Sequence, residues 1–176
     1  MNGLYFATRV ITYFGTELRV FFEHVICRIF KIPVEDERVF KPSELCGHIE
    51  HELIKSAGQS FVMCFVPFFL NLFLGSCMLL TGSFKLFYIG DFKSPIAYIM
   101  LYLGISLVAN CAPSFEDALS FKDNLYTKSN MFLKIILSPF FAVAYASAFL
   151  ERFSLTFLLS IAYAVFFPYF ASVVLF

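Results

Sequence analysis

The side chains in this 176-residue chain best suited to ligating a metal or moving protons near neutral pH are three histidines, five cysteines and thirteen acidic residues. Cys46-x-His48-x-x-His51, with His24 and Cys27 upstream, supplies enough soft donors for a zinc site, but neither a CxxC nor an HxxxH spacing supports one. Glu23-His24 and Asp117 add harder donors, so Glu23, His24, His48, His51 and Asp117 form a weak alternative metal set. Adjacent helical residues diverge by about 100° and do not converge on one ion. Arg19 and Glu23 stand one helical turn apart, where a guanidinium and a carboxylate can meet. Asn71 and Asn110 lie in apolar runs and need hydrogen-bond partners there, either as helix-to-helix glue or as the lining of a site. No base can be assigned to Ser114 or to a cysteine, so nucleophilic catalysis has no candidate.

The elements that carry these residues are membrane-like. Apolar residues make up 60% of the chain and charged residues 15%, against about 45–50% and about 25% in soluble domains. Thirteen basic residues cancel thirteen acidic ones, which argues against a nucleic-acid partner. Four runs, 56–84, 94–115, 131–150 and 153–176, are free of charge except for Lys134, and a span needs about 20 apolar residues. The fold class expected is an all-α integral membrane protein, a single domain over 1–176 with about four transmembrane helices and the lipid bilayer as partner. The short Glu151-Arg152 connection predicts a hairpin between the last two.

Residues 1–30 are interrupted by charge. Leu4, Ala7, Ile11, Phe14, Leu18, Phe21 and Val25 form an apolar stripe at helical spacing, and Arg9, Thr12, Thr16, Arg19 and Glu23 a polar one. This amphipathic helix lies in the interface or is embedded with its polar stripe inward. Residues 31–55 form a small extramembrane segment, either a short strand or hairpin or a helical turn that brings His48 and His51 together. Ten basic residues fall in 1–55 and 116–134 and three in the remaining loops. The positive-inside rule therefore puts 31–55 and the C-terminus in the cytoplasm. Pro113 through Asp117 break the second span and could return a carboxylate toward the bundle.

Two blocks carry a family resemblance. Gly47-His48-Ile49-Glu50-His51-Glu52, followed by 61–75 with Pro67-Phe68-Phe69-Leu70-Asn71, resembles the "GYV-x-HE … GPFxxN" block of small integral-membrane zincin-like proteins related to site-two-type intramembrane metalloproteases. Tyr102-Leu103-Gly104-Ile105-Ser106, continuing to Pro113-Ser114-Phe115-Glu116-Asp117-Ala118, resembles the family's "YLGIS … HAFPSxxDA" block. Together they cover about half the chain. The family's HExxH helix binds zinc through two histidines, with the glutamate as general base.

At the matching positions this chain reads Arg19-Val20-Phe21-Phe22-Glu23, and Asn110 replaces the histidine of the second block; only Asp117 is kept. The resemblance implies a metalloprotease scaffold without its catalytic residues and without a cofactor. Arg19 would stand as a fixed cation where zinc would be, facing Glu23 and Asp117. Arg19, Glu23, His24, Asn71, Asn110 and Asp117 are then the candidate binding cavity, and the function expected is holding or escorting a membrane-protein client. The alternatives are a metalloprotease with a nonstandard zinc site and a structural subunit of a membrane complex.

Overall fold

The computed structural model describes residues 3–38, 47–54 and 56–175. Its elements run α1 (Gly3–Ile11), α2 (Tyr13–Phe30), β1 (Val34–Arg38), β2 (His48–His51) and α3 (Ala57–Ser83). A π-helical turn (Phe84–Tyr88) extends α3, and α4 (Pro95–Ala109), α5 (Phe115–Lys128), α6 (Met131–Arg152) and α7 (Leu155–Leu175) follow. The chain is mostly helical with one small two-stranded sheet, as its composition implies.

Helix α2 ends where Lys31 turns left-handed at φ 55°. The Ile32 N–H then reaches the Cys27 carbonyl at 2.9 Å, closing the orphan acceptors of the last turn. The chain leaves into an antiparallel hairpin with Val34 opposite His51 and Arg38 opposite His48, with a bulge between Val34 and Asp36. Of the two readings of 46–53, the strand is the one observed over His48–His51. The second strand lies along α2, from Gly47 against Thr16 and Arg9 to Ile54 beside the last turns of the helix. Ile26 and Cys27 pack on Met63 and Ile54 there, and farther along the Gly15 N–H donates to Ser106 Oγ of α4 at 2.8 Å.

Helix α3 is the spine. Glycines let α4 lie directly on its second half: a Cβ on Gly82 would sit 2.6 Å from the Leu101 amide nitrogen, and one on Gly104 would sit 2.6 Å from the Leu79 side chain. Helix α7 joins this half, with Ala164 in a cluster with Leu79 and Val108 and the Tyr163 hydroxyl 2.9 Å from Ser76 Oγ. The first half of α3 carries α5 and α6 through Cys64, Phe65, Phe121, Leu125 and Ala144. The turn at Phe153–Ser154 therefore sends α6 and α7 to different partners, α6 to α5 and α7 to α3 and α4. The two helices touch each other, as the short connection predicts, but bury their main faces on different partners.

Among the described residues, three helical stretches are long and apolar enough to cross a membrane: Ala57–Tyr88, Met131–Arg152 and Leu155–Val173. The expected span 94–115 is shorter. Helix α4 has 15 residues, about 22 Å at 1.5 Å per residue, short of a hydrocarbon core of about 30 Å. It stops because the Asn110–Pro113 break intervenes. The region expected as a loop, 116–134, holds α5 instead. Ser114 caps it by accepting from the Asp117 N–H at 3.0 Å, and Ala118, Phe121 and Leu125 form its buried stripe. The N-terminal amphipathic pattern is also resolved: Arg9, Thr12, Thr16, Arg19 and Glu23 are buried in the protein, while Leu4, Ile11, Phe14, Phe21 and Val25 face outward.

Candidate functional site

Beneath the hairpin, α2, β2, α5 and the end of α6 bury a connected set of charges. Glu23 is the hub. Arg19, one turn earlier on α2, donates through Nε to Glu23 Oε1 at 2.6 Å, His48 Nδ1 lies 2.9 Å from the same oxygen, and the Ile49 N–H donates to Oε2 at 3.0 Å. Arg19 also donates through Nη1 to the Cys111 carbonyl at 2.7 Å, in the break between α4 and α5. The side chains of Arg19 and Glu23 are 0% and 1% exposed, which makes them a buried pair and not a solvated surface one.

Strand β2 enters the bundle far enough for His48 Nε2 to lie 2.8 Å from Glu151 Oε1, at the C-terminal end of α6. Glu151 also pairs with Arg9 and accepts from the Tyr5 hydroxyl at 3.2 Å. Both ring nitrogens of His48 thus face carboxylate oxygens. A neutral imidazole carries one N–H, so a second proton is needed on the ring or on a carboxylate for both contacts to be hydrogen bonds. Two arginines balance the two glutamates, and His48 joins the pairs across three elements.

Asp117 takes a different partner from the one expected. Its Oδ1 lies 3.0 Å from His51 Nε2 and its Oδ2 accepts from Ser114 Oγ at 2.7 Å, so His51, and not Arg19, is its counter-ion. Burial works against the charged form of His51, but the hydrogen bond to Asp117 and the negative charge of that carboxylate outweigh it and hold the ring at about 9.

The asparagines act as glue. Asn71 Nδ2 donates to the Asn110 carbonyl at 3.2 Å. Asn110 Nδ2 donates to Thr12 Oγ1 at 2.8 Å and to the Ser106 carbonyl at 2.7 Å, while its Oδ1 accepts from Thr16 Oγ1 at 3.1 Å and from Arg9. Of the residues singled out from sequence, Arg19, Glu23, His48, His51 and Asp117 lie around this network and Asn71 and Asn110 adjoin it. His24 is half-buried on another face of α2. Cys46 lies outside the described residues. Tyr5, Arg9 and Glu151 were not site candidates; Arg9 had a signal in the polar stripe, but Glu151 read only as a turn residue.

Among the described residues one group of donors suits a metal by distance: an oxygen of Glu23, a ring nitrogen of His48 and an oxygen of Asp117 all lie within 4.8 Å of one another. By charge they suit it poorly. The Glu23 oxygen that faces His48 already accepts from the fixed Arg19 guanidinium, and both Asp117 oxygens are engaged. A divalent ion would displace these contacts and sit against a buried cation. Comparisons with protein-family models, with curated proteins and with solved structures each return no match.

Proposed function

We propose that this is a multi-pass integral membrane protein of a metalloprotease-like design in which hydrolytic chemistry has been replaced by a structural ion network, and that it acts by binding a membrane-protein client. The observation that carries the non-catalytic part is Arg19. It is wholly buried and anchored on Glu23 and Cys111, and it supplies permanently the positive charge that the resembling family draws from zinc. A role in binding follows from the resemblance once the catalytic groups are gone. The bilayer is the proposed solvent for the outward apolar faces of α3, α6, α7 and the shorter α4. In this reading 31–55 and the C-terminus face the cytoplasm.

Metal analysis of the purified protein is the decisive experiment. Less than stoichiometric zinc is expected, with unchanged content in Glu23→Gln and Asp117→Asn. About one zinc per chain, lost in either variant, would favour the competing reading of a metalloprotease with a nonstandard site, which rests on the 4.8 Å grouping of Glu23, His48 and Asp117. Resistance to alkaline carbonate extraction tests the membrane assignment. Labelling of Glu35→Cys by an impermeant maleimide only after the membrane is opened tests the orientation.

A further inference from the structure

One carboxylate of the buried network is used on one oxygen only. The contacts of Glu151 with His48, Tyr5 and Arg9 all fall on Oε1. Among the described residues Oε2 meets no donor, although it is shut off from solvent. A buried charged oxygen left bare costs free energy until something supplies it with a hydrogen. Glu151 lines a cavity with Arg9 and the hydroxyl-bearing Tyr5, Thr8, Ser154 and Thr156. The inner part has about 10 Å³ of free room, and the empty space reaches about 200 Å³ when the open mouth is counted. The inner room suits one water-sized group.

Ser154 offers a donor in the same place. Thr8 gives its proton to the Tyr5 carbonyl at 2.8 Å and lies 3.5 Å from Ser154 Oγ, too far for a strong bond. The Ser154 backbone is left-handed, with φ 59°, where glycine is the usual residue. Serine there keeps a hydroxyl at a conformational cost. An atom seated between these groups must donate to Glu151 Oε2 and accept from Ser154 Oγ, and in a space for one heavy atom a hydroxyl oxygen does both. Charge narrows the choice further. Arg9 and Glu151 already neutralise each other, so a phosphate would face the bare carboxylate and an ammonium would face the guanidinium.

Position favours an alcohol carried on acyl chains over water. The lip of the cavity is the turn from Glu151 to Ser154 between two helices long and apolar enough to cross a membrane. In the proposed membrane reading that turn lies at an end of both, at headgroup depth. Phe157 forms part of the lining, and Leu155 and Leu158 beside it on α7 are exposed. We infer that this cavity binds the head of an uncharged alcohol lipid of the diacylglycerol type. The lipid hydroxyl donates to Glu151 Oε2 and accepts from Ser154 Oγ, and the acyl chains lie along the start of α7. This rests on the membrane part of the proposed function and adds a ligand to it.

The chain contains no tryptophan, so Leu158→Trp introduces a sole reporter beside the cavity and Phe132→Trp one at the far end of α6, both at exposed positions. The vesicles are phosphatidylcholine with a minor share of diacylglycerol bearing brominated chains. Quenching of Leu158→Trp should show about tenfold enrichment of that lipid over bulk, and quenching of Phe132→Trp none. Acetylating the probe's hydroxyl should abolish the enrichment. Adding Ser154→Gly, which suits the left-handed backbone and deletes the donor, should remove most of it while leaving the ion network intact. Equal quenching at both reporters overturns the inference and leaves the cavity to water. Enrichment that survives acetylation overturns it too, because the hydroxyl is then not what is recognised. Stronger enrichment of brominated phosphatidic acid or phosphatidylethanolamine would make a charged head the ligand and also overturns it. Release of the whole protein by alkaline carbonate would instead sink the membrane reading, and this inference with it.

Discussion

The two halves of α3 are held by opposite means. Along the second half, Gly75, Gly82 and Gly104 bring α3 and α4 to backbone contact, and the cluster of Leu79, Val108 and Ala164 closes the seam with α7. Beside the first half the helices stand apart, strand β2 enters between them, and Arg9, Arg19, Glu23, His48 and Glu151 meet across the gap. Close packing tolerates no added volume, yet it gains little from any single atom. A buried ion network tolerates small changes of shape, yet it fails when one charge is stranded. The first half therefore holds the buried charge network, and the second half is where the bundle is fastened.

The contrast can be broken most strongly at Arg19. Replacing it with Met strands Glu23 beside His48, and the loss of stability expected is about 3–5 kcal/mol, read by thermal unfolding in detergent. Combining Arg19→Met with Glu23→Gln should recover much of that loss. Adding Asp117→Asn should recover nothing further, because Asp117 answers to His51. Parent-like unfolding of the single variant would show the pair to be solvated.

Next in size comes Gly82→Ala, whose new Cβ would lie 2.6 Å from the Leu101 nitrogen and 2.8 Å from the Ala97 carbonyl oxygen. Backbone cannot give way as a flexible side chain can, so a cost of about 1–3 kcal/mol is expected. In contrast, Gly3→Ala, with nothing within 4 Å, should be silent in the same assay.

The His51–Asp117 contact gives a smaller, pH-dependent effect. A ring held at about 9 in the folded chain, above its ordinary 6.5, stabilises the fold fully below about pH 6.5. That contribution is lost as pH rises through about 9. Melting temperature should therefore fall across this window in the parent, and His51→Gln should flatten that part of the profile. An unchanged slope would remove His51 from the account.

The smallest effect is expected at the other end of α3, where Lys85 and Asp91 form an ion pair at 3.4 Å with side chains 43% and 39% exposed. Lys85→Ala should cost at most about 1 kcal/mol, and less at high salt. A larger loss there would mean that exposed pairs matter in this protein as much as buried ones.

Much of this organisation was legible before any fold was known. The contact between Arg19 and Glu23 follows from their spacing of four, and the turn that brings Asp117 back follows from Pro113 and the cap residue Ser114. The stripe of Ala118, Phe121 and Leu125 was present at helical spacing too, but the low mean hydropathy of α5 hid it. His48 and Glu151 are 103 positions apart. A single charge carries no period that could announce such a partner.

By itself, the sequence determined that this chain is largely helical, that it carries four apolar runs, of which the structure makes three into helices long enough to span a bilayer, and that the first helix has one polar and one apolar stripe. Those properties are local: they depend on residue type and on the 3.6-residue period. Only the tertiary structure decided which stripe faces inward, because the same pattern suits a helix with water on its polar side and a helix with protein there. It also decided that Asp117 pairs with His51 and that Glu151 belongs to the network. Those choices depend on which helices become neighbours, and neighbours here are set by where glycines permit close approach and where a charge must find its opposite away from water.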